Sequence, residues 1–556
     1  MTATEAGQPA MDPEDGGQGS AGTDQIAFGR DAAGARPARD ARGDAHTAER
    51  IAALRARLMS PMPDDRLWGW LGPLIVTAFA AFTRFYRLSI PHAVVFDETY
   101  YAGDAWAILK HGTEIVHVKN APALMLRGST AILQGTTGEY VAHPPLGKIM
   151  IAAGEWLFGL TPFGWRFSVA LVGSLAILMT ARIARRLTRS TLLGCIAGLL
   201  LALDGLELVL SRTAILDIFV MFWVLAAFGL LVIDRDRTRA RVAAAAAGPD
   251  GSDRPKLGVR WLLVLAGVCL GAACASKWNG VWYIPVFAGL VIAWDLSARR
   301  AAGLGGQLRG VLRRDALWLP VWFAIVPAVV YVASWTGWFA TPYGYNRNGA
   351  ALNGGHATST IAAWLAYNKS MLTFGLNLQV PQHYQSNPVG WLILARPTSF
   401  YASCLPAHLT CGAPGTTEQE VLAMGTPLIW WAATVALLVC LVWWLIRWDW
   451  RAGAVLAGVA AGWLPWIWFY FHDGRTEFYY YAVVFDPFLV IAITLCLGLI
   501  IGSATATPAR RAVGAVIVGA YLLAVLGDFA YIYPVLAAKV LPYPSWYARM
   551  WFSGWI

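Results

Sequence analysis

Long apolar runs, separated by short Arg-rich stretches, dominate the chain from about residue 66 onward. A helix needs about 20 apolar residues to cross a bilayer's hydrocarbon core. Runs of that kind occupy 68–86, 166–181, 191–208, 214–233, 261–275, 281–298, 315–338, 427–446, 452–471, 479–502 and 512–535. The pattern predicts an all-α polytopic membrane protein with about 11 transmembrane helices. The stretch Ile149–Leu160 is about twelve residues long. That is too short to span, and it is read as a helix lying at the membrane interface.

Residues 1–66 differ in character. They are rich in Gly, Ala, Asp and Arg and lack the apolar run of a signal peptide. Mixed charge without large apolar residues cannot build a core, so this segment is read as a disordered cytoplasmic tail preceding one catalytic domain at 67–556. A short amphipathic helix is expected at 51–59. Gly17, Gly19 and Gly22 fit a dinucleotide-binding spacing, but no strand precedes them and the match is a coincidence.

Composition agrees with the pattern. Hydrophobic residues make up 57% of the chain and charged residues 14%, where a soluble domain carries about 25% charged residues. The net charge of +10 suggests a nucleic-acid partner only until the charge is placed. With the N-terminus inside, the inner loops carry 20 Lys/Arg in 65 residues and the outer segments 13 in 204. The positive-inside rule therefore sets the N-terminus inside and the C-terminus outside. The basic residues become membrane anchors, which excludes a nucleic-acid role. Two long outer segments result, 87–165 and 339–426, and long segments of this kind usually carry function. Five of the seven cysteines lie in apolar runs, which excludes a disulfide scaffold. Cys404 and Cys411 fall in the second outer segment and are expected to form a disulfide there.

The first outer segment opens with Phe96-Asp97-Glu98-Thr99-Tyr100-Tyr101. Its adjacent carboxylates sit among apolar and aromatic residues, and burial raises a carboxylate's basicity toward that of a general base. His143-Pro144-Pro145-Leu146-Gly147-Lys148 follows. Its prolines favour an extended backbone, Gly147 lets the chain turn into the interfacial helix, and His143 and Lys148 are presented near the membrane surface. Arg212 ends one span and Asp217 begins the next, with Asp204 and Glu207 nearby. Charges at such depth mark either function or a tight pair. Arg212–Asp217 is accordingly either a structural ion pair or a clamp on a phosphate, which the planar guanidinium suits. Lys277 and Arg475 lie on short outer loops and His383 in the second long segment; all three are further candidates for phosphate or sugar contact. No metal constellation appears on the outer segments. Asp234-Arg235-Asp236 has the spacing of a diphosphate–metal motif but lies inside among arginines and reads as a charged anchor.

Taken in order, these motifs resemble the protein O-mannosyltransferases, the polyprenyl-phosphate-mannose-dependent enzymes of glycosyltransferase family 39 with the GT-C membrane fold. The resemblance continues through Ser211-Arg212-Thr213-Ala214-Ile215-Leu216-Asp217 and Ala275-Ser276-Lys277-Trp278-Asn279-Gly280. It extends to His383-Tyr384-Gln385-Ser386-Asn387-Pro388, Arg396-Pro397 and Arg475-Thr476-Glu477-Phe478-Tyr479-Tyr480, covering roughly 66–556. The segment 339–426 is too short for the MIR domain of eukaryotic members, so the chain is similar to bacterial ones. The resemblance implies an inverting transfer of mannose from a polyprenyl phosphate to Ser/Thr hydroxyls of exported proteins, at the outer face of the plasma membrane. Asp97 would be the base and Glu98 would position it or the acceptor. Arg212, with Lys148, Asp217, Lys277, His143, His383, Asn387 and Arg475, would bind substrate. No metal is required, because basic side chains can neutralise a lipid monophosphate directly. The secretion machinery is a candidate partner, since acceptors must arrive with exposed hydroxyls. A GT-C transferase moving another lipid-linked sugar to a glycan or lipid is the alternative. A transporter is disfavoured because no internal repeat is visible.

Overall fold

A computed structural model of the chain describes residues 60–247, 258–304, 316–349, 359–406, 408–503 and 505–556, together with 49, 51–54, 56, 58 and 311. Most of the 1–66 tail, including Gly17, Gly19 and Gly22, lies outside the described residues. The described positions between 49 and 58 are helical, and the Leu58 carbonyl accepts from Arg239 Nε at 2.8 Å.

Helix α1 (Arg66–Phe85) leads into the first long segment. That segment folds as α2 (Glu98–His111), β1 (Ile115–His117), α3 (Ala121–Leu126), β2 (Leu133–Gly138) and α4 (Leu146–Phe158). The apolar body continues through α5 (Pro162–Thr188), α6 (Thr191–Ala202), the short α7 (Gly205–Leu210), α8 (Asp217–Ala247), α9 (Trp261–Ser276), α10 (Tyr283–Ala301) and α11 (Val326–Ser334). The second long segment holds α12 (Thr336–Ala340), α13 (Thr360–Leu376), a 3₁₀ turn at Pro388–Ile393, and strands β3 (Thr398–Leu405) and β4 (Thr417–Ala423). Helices α14 (Pro427–Arg447), α15 (Trp450–Asp473), α16 (Asp486–Ile501) and α17 (Pro508–Leu536) complete the body, before β5 (Leu541–Pro542) and α18 (Tyr543–Tyr547).

Each predicted apolar run contains helix among the described residues, with 191–208 divided between α6 and α7 and helix in 214–233 beginning only at Asp217. Six helices among the described residues are long and apolar enough to cross a membrane: α5, α8, α10 with its leading 3₁₀ turn, α14, α15 and α17. Four more apolar helices are shorter. Local chemistry sets several boundaries. Thr161 accepts from Gly164 N and Pro162 occupies the first turn, where its missing N–H costs nothing, so α5 starts there. Ser190 caps α6 by accepting from Leu193 N at 3.3 Å. The expected interfacial helix is α4, lying against α5 and α2.

Three expectations are corrected. The fold is mostly helical rather than all-α, because the long segments carry two small antiparallel sheets. In one, β1 pairs with β2; in the other the order is β3-β4-β5, with Thr398 opposite Ala423 and Leu405 opposite Thr417. The short β5 brings the C-terminal segment onto the second long segment. The inner loop expected from 234 starts later, because α8 continues to Ala247. Along it the carboxylates of Asp234 and Asp236 are taken by arginines: Asp234 by Arg260, and Asp236 by Arg186 at 2.8 Å and Arg189 at 2.9 Å. Gly147 is not a turn residue but sits inside α4, where a Cβ would come within 2.8 Å of Leu216. Pro145 is already helical at φ −80°, ψ −19°, and Ala142 and His143 before it are bends, so the extended backbone expected from the two prolines is not seen at Pro145.

Cys404 and Cys411 are joined as a disulfide at the tip of the β3–β4 hairpin, with Cα atoms 5.8 Å apart, and the other five cysteines are free. Thiol labelling of denatured, unreduced protein should therefore count five reactive thiols, rising to seven after reduction. Seven in both conditions would exclude the bridge.

Candidate active site

The two long segments meet over a cavity of about 580 Å³. Its floor and walls come from α2, the 139–143 stretch, the first turn of α4, Lys277 at the end of α9, the 374–384 stretch and the 476–481 stretch. Aromatic rings dominate the lining, including Tyr100, Tyr101, Tyr140, Phe478, Tyr480 and Tyr481, with Asp97, His143, Lys148, Lys277 and His383 among them.

Asp97 and Glu98 are neighbours with opposite fates. Phe96 adopts φ +50°, a left-handed conformation that a bulky residue rarely takes. Its ring stacks on Phe400 of β3 at 4.6 Å, and this contact helps hold the conformation in place. The chain turns there so that Asp97 lines the cavity while Glu98, the first residue of α2, points into the protein. Glu98 is fully buried. Its carboxylate accepts from Arg166 Nε and Nη2, both at 2.8 Å, from Val95 N at 2.9 Å and from Ala214 N at 3.0 Å. Arg166 also donates to the carbonyls of Leu88, Pro91 and Ala93. Glu98 is thus the anchor of the 88–98 loop, and the role expected for it beside the acceptor is withdrawn: it does not line the cavity.

Asp97 is only partly covered, yet the aromatic wall strips water from its carboxyl. Burial raises that carboxyl to about 6, opposed by Lys277 and reinforced by Asp217. Tyr101, one turn on, holds its hydroxyl 3.5 Å from Asp97 Oδ2. A base poised near neutrality suits proton abstraction from a hydroxyl.

The expected Arg212–Asp217 pair does not form. Arg212 donates to the carbonyls of Thr83, Arg84, Tyr86 and Arg87, tying down the frayed end of α1 away from the cavity. Carbonyls at a helix C-terminus lack intrahelical donors, and the guanidinium supplies them. Arg84 in turn pairs with the buried Glu207, whose other oxygen accepts from Ser211 Oγ at 2.8 Å. Asp204 caps α7 and accepts from Thr426 N and Trp430 Nε1, so it too is structural. Asp217 instead pairs with Lys277, whose Nζ lies 2.8 Å from Oδ2. The ammonium also stands 4.3 Å from the Tyr481 ring centroid and lines the cavity, while Asp217 is fully buried beneath it.

The other expected residues divide similarly. His143 lines the cavity, and burial, reinforced by Lys277, Lys148 and Arg475, pushes its imidazole well below the ordinary value, so it is neutral. Lys148 lines the cavity, donates to the His143 carbonyl at 3.2 Å and is held by Glu114 at 2.6 Å. His383 lies at the exposed rim. Arg475 does not reach the cavity. It donates to the Gly375 carbonyl at 2.7 Å and lies 5.1 Å from the Trp466 centroid, bracing the wall behind Tyr481. Asn387 is exposed and caps the turn at Pro388–Ile393, accepting from Val389 N at 3.0 Å.

Sequence reasoning missed Tyr101, Asp104, Glu139, Tyr140, Tyr480 and Tyr481 as lining residues. Asp97, Tyr101 and Asp104 follow a helical i, i+4, i+7 pattern, so one face of α2 was readable. The others arrive from distant segments and left no local signal. Asp104, His117 and Glu139 also come together here, with ligand-type atoms all within 4.8 Å of one another.

The same arrangement of segments exists in known proteins. The family model described as dolichyl-phosphate-mannose-protein mannosyltransferase matches residues 74–338, and the C-terminal four-transmembrane region of protein-O-mannosyltransferase matches 360–555. The polyprenol-phosphate-mannose–protein mannosyltransferase of Mycolicibacterium smegmatis (strain MKD8) is 37% identical over 515 residues, covering 89% of this chain and 95% of that protein. The chain belongs to the protein mannosyltransferase family. A second member, from Corynebacterium glutamicum, is 32% identical over 524 residues, covering 90% of this chain and 96% of its own. At the level of fold, this family member is similar to the S. cerevisiae protein O-mannosyltransferase Pmt1-Pmt2 complex bound to the sugar donor. The TM-score is 0.67 at 14% identity, covering 92% of this chain and 94% of that one.

These placements separate scaffold from chemistry in a way thermal unfolding can read. Removing one partner of the buried Glu98–Arg166 pair costs about 3–5 kcal/mol, because the other charge stays buried and unpaired, and removing Arg212 strips the donor from four carbonyls, at about 1–3 kcal/mol for each one left buried and unsatisfied. Glu98→Gln and Arg212→Ala should both lower the unfolding temperature of the detergent-solubilised protein by several degrees. Asp97→Asn, on the cavity face, should leave it unchanged. A Glu98→Gln protein as stable as wild type would overturn the anchoring role.

Proposed function

We propose that this chain transfers mannose from polyprenyl-phosphate mannose to Ser/Thr hydroxyls of exported proteins. What carries the reading is that one aromatic cavity is lined by both the Asp97 carboxyl and the Lys277 ammonium. Asp97 accepts the proton of the acceptor hydroxyl as its oxygen attacks the sugar's anomeric carbon, opposite the departing phosphate, and the configuration inverts. General-base assistance of this kind contributes typically ~10²–10⁴-fold. Lys277, held in place by Asp217, stabilises charge on the leaving phosphate, with Lys148 and neutral His143 on the same wall. This assignment asks for no metal ion at the reacting atoms. The names of its relatives support both the donor and the protein acceptor.

We place the cavity on the extracytoplasmic side of a bacterial plasma membrane, with eleven spans, the N-terminus inside and the C-terminus outside. The distribution of Lys and Arg, 20 in 65 inner-loop residues against 13 in 204 outer ones, supports this orientation. Acceptors then meet the enzyme unfolded, as the secretion machinery delivers them.

Membranes containing the protein, given radiolabelled polyprenyl-phosphate mannose and a Ser/Thr-rich peptide, should label the peptide. A label found only on glycan or lipid would refute a protein acceptor. Asp97→Asn should cut transfer by ~10²-fold or more with donor binding intact; near-wild-type turnover would remove Asp97 as the base.

The base form is lost as pH falls through the raised value, so kcat/KM should decline below about pH 6. An ordinary exposed aspartate would hold activity to about pH 4. A flat wild-type profile between pH 7 and 5 would count against the assignment.

A further inference from the structure

Beside the proposed reaction centre, the cavity wall contains a group of buried acceptors that the transfer mechanism does not use. Asp104 of α2 is almost fully buried, with Oδ1 3.6 Å from His117 Nε2. Glu139, just after β2, brings Oε2 to 3.8 Å from the same nitrogen. His117 Nε2 and Glu139 Oε2 are both shielded from water, and neither has a hydrogen-bond partner. Buried polar atoms left in that state are costly.

The histidine is held for a purpose. Its ring lies against Gly103, where a Cβ would sit 2.4 Å from Cε1, so no other residue fits opposite it. Nε2 would lie 2.6 Å and Nδ1 3.0 Å from that same Cβ, so the ring is packed closely on the Gly103 backbone. With its proton on Nδ1, a neutral imidazole offers the Nε2 lone pair to a cation, the usual arrangement of a metal-bound histidine. A lone pair and two carboxylate oxygens then converge with no donor between them.

Charge points the same way. Asp104, Glu114 and Glu139 face the group, with Lys148 as the neighbouring cation, and Lys148 is taken at 2.6 Å by Glu114. Its longer contact, 3.9 Å to Asp104 Oδ2, makes one lysine the shared partner of two carboxylates. The two separations from Nε2, 3.6 and 3.8 Å, are close to the ~3.3–3.6 Å between ligands around a tetrahedral ion with ~2.0–2.2 Å bonds, and all three ligand atoms lie within 4.8 Å of one another.

We propose that Asp104, His117 and Glu139 bind one divalent first-row transition cation, of the Mn²⁺ or Zn²⁺ type, in the wall of the cavity. The imidazole selects this class over Mg²⁺ or Ca²⁺, which prefer oxygen alone. Asp104 and Glu139 both line the cavity, so the fourth position opens toward it. The ion would lock α2, β1 and the end of β2 into one wall, fixing the helix that begins at Asp97. The other group of ligand-type residues, Cys404, Cys411 and Glu418, offers no thiolates because its cysteines are bonded to each other.

The test uses the full chain in detergent, stripped with a chelator and titrated separately with Mn²⁺ and Zn²⁺, with bound metal read by elemental analysis and Mn²⁺ by electron paramagnetic resonance. Wild type should retain about one ion per chain, and pulsed resonance of the Mn²⁺ form should show coupling to an imidazole nitrogen. His117→Ala and Glu139→Gln should weaken binding more than the ~10–100-fold lost on mutating outer-shell partners, while Glu418→Gln should bind as wild type. Failure of wild type to retain either metal at millimolar concentration would overturn the proposal. So would binding without nitrogen coupling, a measurement that needs no variant to fold, or binding that His117→Ala leaves unchanged.

Discussion

The Glu98–Arg166 pair is the constraint on which the rest of the site depends. Two ionised groups withdrawn from water would destabilise the fold unless their remaining valences were satisfied. Here the carboxylate accepts from two guanidinium nitrogens and two backbone amides, and the guanidinium spends its other hydrogens on three carbonyls of the loop it anchors. The loop between α1 and α2 therefore has one conformation, with Phe96 held left-handed and Asp97 turned to the cavity. A base must be placed to within fractions of an ångström to act in a transition state, and a free surface loop could not do this.

Charged residues in the apolar body fall into two classes. Arg84, Arg166 and Arg212 donate to carbonyls and buried carboxylates, and each replaces water that the surroundings exclude. Lys277 and Lys148 are tethered on one side, by Asp217 and Glu114, and open on the other to the cavity. Arginine, with five donors in a rigid fork, suits the multi-carbonyl task; lysine, a compact point charge, can be held by one carboxylate and still meet an anion. The resemblance of motifs cannot separate these classes, because both use basic residues near span ends.

The aromatic lining does two things at once. Tyr480 and Tyr481 stack beside Lys277 and so exclude water from the ion pair, strengthening its field. The same exclusion raises the Asp97 carboxyl. Sugar faces, too, bind well against such rings, so a single wall serves affinity, basicity and electrostatics.

The sequence by itself determined the membrane-type helical body, because apolar runs must be helical to satisfy their own backbone in lipid. It also singled out Asp97, His143, Lys148 and Lys277, each carried in a motif of adjacent residues. It left Glu98 between positioning Asp97 and positioning the acceptor, it set Arg212 beside Asp217 where neither meets the other, and it missed the small sheets and the meeting of Asp104, His117 and Glu139. In those cases the role follows from which distant group a side chain meets: Arg166 is 68 positions from Glu98, Lys277 is 60 from Asp217, and Arg212 is more than 120 from the carbonyls it satisfies. Local pattern records hydrophobicity and propensity, but not which of several buried charges will compensate another. That pairing is settled by packing, since a charge buried with the wrong neighbour costs more than the local chain can recover, and only the tertiary structure decided it.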